Sequence, residues 1–177
     1  MRLTDRTDVV LGIDVGTQSA KCVVLDAAGE LRGVGQEPYD ILTPRPQWIE
    51  QDPHAWWAAV VSAVRQAMRE AEMTAGRVRG IGVTGQMHGA VLIGEDLEPL
   101  RPAIIWMDRR SANLCELILK RVPPDVVLME AGNRLSPGFA GASAAWLREV
   151  EPETLDRARA IIQPKDYIVL RLTGEIS

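Results

Sequence analysis

Short β-branched runs separated by polar, glycine-bearing stretches fill the first part of the chain, and a helical period takes over after residue 52. Residues 9–13 (Val-Val-Leu-Gly-Ile) and 22–25 (Cys-Val-Val-Leu) read as two hairpin strands joined by the polar stretch 14–21. A turn at Asp26-Ala27-Ala28-Gly29 leads into a third strand over 31–36, which makes an antiparallel meander. Asp52 then offers an N-cap and Pro53 a favourable first helical position, and Trp57, Val60, Val61, Val64 and Met68 recur on one helical face. Residues 78–84 and 90–93 predict further strands on either side of Gly85-Gln86-Met87-His88-Gly89, and another apolar run ends at Ile104-Ile105-Trp106. Helices are predicted over about 111–121, 140–150 and 165–172, the last stopped by Gly174. Strands first, then strands interleaved with helices, predict an α/β or α+β layering with helices packed on a mixed sheet. No internal repeat or low-complexity linker interrupts it. The segment from Leu170 to Ser177 runs from a helix stop towards a new strand, so the chain is expected to be part of a longer one.

Composition narrows the classes. The 177 residues are 46% hydrophobic and 25% charged, which suits a buried core and disfavours disorder. A net charge of −4 provides no positive field to collect nucleic acid or anionic lipid. No uncharged apolar run approaches the ~20 residues of a membrane span, and charges at Arg2, Asp5, Arg6 and Asp8 precede any signal-like stretch, so a cytoplasmic protein is expected. Cys22 and Cys115 form no CxxC pair or Cys/His cluster and are expected as buried free thiols.

Three stretches can carry chemistry. Residues 12–21 place Asp14 at a strand end, followed by Gly16, Thr17, Gln18, Ser19 and Lys21. Such a turn can offer N–H groups and hydroxyls to phosphate oxygens while Asp14 holds a hydrated Mg²⁺. It lacks the GxxxxGK[ST] spacing of a Walker loop, and an ordinary hairpin turn, with Gly16 at positive φ and Asp14 capping its own backbone, accounts for it equally. Gly85-Gln86-Met87-His88-Gly89 can bend between its glycines to present Gln86 and His88 to a polar ligand, with Met87 as an apolar wall; a β-turn carrying a surface histidine is the alternative. Trp106-Met107-Asp108 after a buried strand can wall a cleft, or can be a core tryptophan before a helix whose dipole favours Asp108. His54 lies in a first helical turn with no chemical signal, and Trp48, Trp56 and Trp57 read as packing anchors rather than a cation cage.

Taken together, Gly12-Ile13-Asp14-Val15-Gly16-Thr17, Trp48-Ile49-Glu50-Gln51-Asp52-Pro53 with Trp56-Trp57, Gly85-Gln86-Met87-His88-Gly89, Leu100-Arg101-Pro102-Ala103-Ile104-Ile105-Trp106 and Pro164-Lys165-Asp166-Tyr167 resemble, in order, the xylulokinase branch of the FGGY carbohydrate kinases. The resemblance implies an actin-like (ribonuclease H-like) α/β domain, a mixed sheet flanked by helices. Residues 1–177 would be the N-terminal domain, incomplete at its C-terminal end, with the general base and a second, nucleotide-holding domain beyond Ser177. It implies ATP and Mg²⁺ as cofactors, with catalytic Asp14 near the metal, bound through water, and Gly16, Thr17, Gln18, Ser19 and Lys21 approaching the phosphates. It further implies Met87, His88, Trp106, Asp108 and Phe139 beside a sugar, D-xylulose first. The partners implied are that sugar and ATP; a homodimer is left open, and the charge balance and the lack of a long apolar run disfavour nucleic acid and membrane. The chain departs from the xylulokinase pattern at Met107, where Asn is often read, and at Ala142-Ser143, where Pro-Lys is expected. Another ketose or polyol, or a sugar-sensing module without catalysis, is therefore the alternative.

Overall fold

A computed structural model describes residues 8–176. In chain order the elements are β1 (Val9–Val15), β2 (Ser19–Asp26), β3 (Leu31–Pro38), β4 (Glu50–Gln51), α1 (Pro53–Glu70), a 3-10 turn at Ala75–Arg77, β5 (Val78–Gly85), β6 (Val91–Ile93), β7 (Ala103–Ile104), α2 (Ala112–Arg121), α3 (Pro124–Ala131), α4 (Ala140–Val150), α5 (Pro152–Asp156), β8 (Ala160–Ile162) and α6 (Pro164–Thr173). They fall into two compact units. The first takes the described residues up to Asp40, His54–Gln86 and those from Lys165; the second takes Ile41–Pro53 and Met87–Pro164.

In the first unit the sheet order is β3-β2-β1-β5. The predicted meander is present, and β5 joins β1 in parallel, with Asp14 beside Thr84 and Val15 beside Gly85. Alternation decides which face is buried: Leu11, Ile13 and Val15 on β1 and Ala20, Cys22 and Val24 on β2 are all withdrawn from solvent. Helix α1 starts at Pro53, as the Asp52-Pro53 pair predicts, and buries Trp56, Ala59, Val60, Ala63 and Ala67.

Glycine sets how closely α1 approaches β3. A Cβ on Gly35 would stand 1.9 Å from the Ala63 carbonyl oxygen, and one on Gly33 would stand 2.3 Å from that of Ala67. That closeness lets α1 side chains satisfy β3's outer edge, where the Val34 N–H donates to Glu70 Oε2 at 2.8 Å and the Gln36 N–H to Gln66 Oε1 at 3.3 Å. An edge strand is thereby closed without a further strand.

The second unit has a smaller antiparallel arrangement, β4 with β7 and β6 with β8, linked by a bridge between Ala90 and Ile104. Its core gathers Ala90, Leu92, Ile104, Trp146 and Leu147, with Trp48, Leu100 and Leu114 packed against it. Both cysteines are free and buried, and burial pushes the Cys22 thiol up to about 11.

Replacing Gly35 with alanine forces the α1 backbone away from β3 and is expected to cost about 1–3 kcal/mol. Gly141→Ala in α4, where nothing lies within 4 Å of the added methyl, is expected to be neutral or stabilising by up to about 1 kcal/mol. Urea unfolding midpoints compare the two, and equal midpoints would refute the close-packing account.

Candidate functional site

The phosphate-side candidates lie in the first unit, at the β1–β2 turn. The Gly16 N–H donates to the Ser19 carbonyl at 3.1 Å, closing the turn. Gly16 is not among the glycines at positive φ, so the turn does not need it for that reason. The requirement is space: a Cβ there would lie 3.3 Å from the Ser19 carbonyl oxygen and 3.8 Å from Asp14 Oδ2. Asp14 and Lys21 are direct cross-strand partners, so both side chains project from the same face. Asp14 is half-buried, while Gln18 and Lys21 are exposed. Ser19 is buried, and its hydroxyl accepts from Gln36 Nε2 at 2.9 Å.

One residue of this cluster carries no sequence signal. Tyr39 follows β3 as a single aromatic with no periodic partner, yet its hydroxyl donates to the Gly16 carbonyl at 2.5 Å and its N–H to the Gln18 carbonyl at 3.2 Å. Gln86 meets the same point from the end of β5, its Nε2 donating to the Gly16 carbonyl at 3.2 Å and its N–H to the Val15 carbonyl at 2.8 Å. Burial, and then the negative charge of Asp14, push the Tyr39 phenol well above its usual range, so it remains a donor.

The sugar-side candidates lie in the second unit. His88 takes φ +64°, a left-handed conformation uncommon for a side-chain-bearing residue, and its ring stacks on Phe139 with centroids 3.9 Å apart and planes 10° from parallel. Phe139 precedes α4, and its carbonyl accepts the Ser143 N–H. Gly138 allows this placement, since a Cβ there would stand 1.9 Å from the Trp106 carbonyl oxygen. Trp106 and Met107 are the central residues of a turn closed by the Asp108 N–H donating to the Ile105 carbonyl at 2.9 Å. Trp106 is 45% and Met87 71% exposed, which leaves both able to meet a ligand.

Asp108 was expected beside the sugar and is instead a buried anchor, fully withdrawn from solvent. Its carboxylate accepts the Ile49 N–H at 2.6 Å, the Arg110 N–H at 2.8 Å and the Arg110 guanidinium at 2.8–3.0 Å. Arg110 also pairs with Glu50 at 2.6 Å and lies over the Trp48 ring at 4.0 Å and the Trp146 ring at 5.1 Å. Trp48 thus does face cations, but they are the protein's own arginines, Arg45 and Arg110. Among the described residues no three His, Cys, Asp or Glu side chains converge on a metal position, and no helix is long and apolar enough to cross a membrane.

Residues 9–177 match the family model for the FGGY family of carbohydrate kinases, N-terminal domain. The xylulose kinase of Escherichia coli (strain K12) is 38% identical over 167 residues, 94% of this chain and 34% of that protein. A glycerol kinase of Allorhizobium ampelinum is 34% identical over 174 residues, 93% of this chain and 34% of that protein. The crystal structure of a xyloylose kinase from Brucella ovis superposes with a TM-score of 0.86 at 33% identity, covering 94% of this chain and 34% of that one. The chain spans about a third of the length of the relatives it matches.

Asp108→Asn keeps the volume but removes the charge that Arg110 faces, and breaking such a buried pair is expected to cost about 3–5 kcal/mol. The urea midpoint should fall accordingly. An unchanged midpoint, with the loss confined to sugar binding, would restore Asp108 to the ligand set.

Proposed function

The chain belongs to the FGGY family of carbohydrate kinases, with the actin-like fold of that family, and from this premise we propose that it is the substrate-side domain of an ATP-dependent pentulose kinase. The reaction proposed is transfer of the γ-phosphoryl group of ATP to a terminal sugar hydroxyl, with D-xylulose the first substrate to test. The observation that carries this reading is His88, held at positive φ against Phe139, with Gly138 packed on the Trp106 backbone. A non-glycine residue in that conformation persists where its surroundings over-determine it, and such positions concentrate at functional sites. A sugar needs directional hydrogen bonds against an apolar wall: His88 supplies the former, Met87, Trp106 and Phe139 the latter.

Phosphoryl transfer asks for positioning and charge neutralisation more than covalent chemistry. Asp14 is a single carboxylate beside a turn where glycine leaves room, and Lys21 lies opposite it. That donor set suits Mg²⁺, which commonly takes one or two carboxylates and keeps water and phosphate oxygens for the rest of its shell. The ion, when bound, neutralises charge on the transferred group. The chain's own contribution is to hold Asp14 and to present the backbone that follows Gly16 and the Thr17 hydroxyl to phosphate oxygens. In this reading the general base and most of the nucleotide site are supplied by sequence outside these residues, and the protein works in the cytoplasm. The glycerol kinase relative supports a second reading, a kinase for another ketose or a polyol.

In the full-length protein, His88→Ala removes a directional partner at a cost of about 1–3 kcal/mol. The ketose kcat/KM should fall roughly tenfold to a hundredfold while the KM for ATP stays within about twofold. Steady-state kinetics with D-xylulose, other ketoses and glycerol measure this. His54→Ala, on the exposed first turn of α1, should leave all parameters at parent values. A folded His88→Ala enzyme as fast as His54→Ala would remove the sugar-site assignment.

A further inference from the structure

The Gly16 carbonyl accepts two side-chain donors, Tyr39 Oη at 2.5 Å and Gln86 Nε2 at 3.2 Å. Tyr39 and Gln86 also fasten the backbone on either side of it, through the Gln18 and Val15 carbonyls. Four hydrogen bonds from the ends of β3 and β5 therefore converge on the four-residue stretch from Val15 to Gln18. We infer that Tyr39 is a positioning residue for phosphoryl transfer: its hydroxyl holds the Gly16 peptide so that the following backbone and the Asp14 carboxylate keep the orientation the reaction needs. This rests on the reading that the β1–β2 turn meets the phosphates.

A turn anchored only at its strand ends can tilt, and a misplacement of ~1 Å near the reacting group can cost on the order of a hundredfold in rate. Tyr39 is close enough to Asp14 for the carboxylate's charge to act on its hydroxyl, which places the two groups in one electrostatic neighbourhood. Burial keeps the phenol protonated, so its donor role does not switch off over the ordinary working range. Phenylalanine at position 39 preserves the ring and deletes only the donor.

The test measures kcat and both KM values of the full-length protein, with D-xylulose and MgATP, for Tyr39→Phe and Asp14→Asn, alongside urea midpoints. Tyr39→Phe is expected to lower kcat about tenfold with the sugar KM within about twofold of the parent. A role limited to stability would shift the midpoint and leave kcat untouched well below it. Tyr39→Leu serves as a second hydroxyl-free variant should the phenylalanine protein fail to fold. If Asp14→Asn lowers kcat while folded hydroxyl-free variants turn over at the parent rate, the Tyr39 inference is overturned and the reading of the turn survives. If Asp14→Asn also turns over at the parent rate, the reading of the turn is overturned, and this inference falls with it.

Discussion

One carbonyl group, that of Gly16, ties together three places that the chain visits at wide intervals. The β1–β2 turn supplies the acceptor, the end of β3 supplies Tyr39 and the end of β5 supplies Gln86. This convergence depends on the order β3-β2-β1-β5, because only a β5 running parallel to β1 ends beside Val15. Gly85 permits the approach, since a Cβ there would stand 2.8 Å from the Val15 carbonyl oxygen. The backbone around Asp14 is thus fixed by the sheet rather than left to a flexible loop, as the role proposed for Asp14 requires.

The second unit holds its candidate residues by a different device. Its core is apolar, but the turn bearing Trp106 and Met107 is fastened by buried charge: Asp108, Arg110 and Glu50, with Arg110 lying over Trp48 and Trp146. Arg101 extends the network from Glu50 to Glu151. Buried ion pairs of this kind are weak evidence for net stability, since desolvation offsets much of their attraction. Their directional bonds do fix the turn, and the close contact of Gly138 with Trp106 then places Phe139, on which His88 stacks.

Much of this was legible in the residue pattern. Alternation over 9–36 yields the meander, the Asp52-Pro53 pair marks the start of α1, and 140–150 is a helix with the predicted bounds. Helix α3 escaped because Val126, Leu128 and Met129 are exposed apolar residues with no buried face to create a period. Strands β4 and β8 are two and three residues long and are defined by their partners, which local sequence does not encode. The site residues divide on the same ground. Spacing brought His88 and Asp14 into view because glycines flank them, whereas nothing local in the sequence announces the distant partners of Ser19 and Asp108, Gln36 and Ile49. Tyr39 had no local mark, since its role comes from a hydrogen bond across 23 positions.

The function proposed for this domain requires a sugar-facing group of residues around His88 and a phosphate-facing turn at Gly16. A crystal structure of the full-length protein with D-xylulose and a non-hydrolysable ATP analogue tests it most directly. The expected result is a sugar hydroxyl hydrogen-bonded to His88, the carbon skeleton against Trp106, and a phosphate oxygen in contact with the turn that Tyr39 holds. A sugar bound away from His88, or phosphates with no contact to residues 14–18, would contradict it.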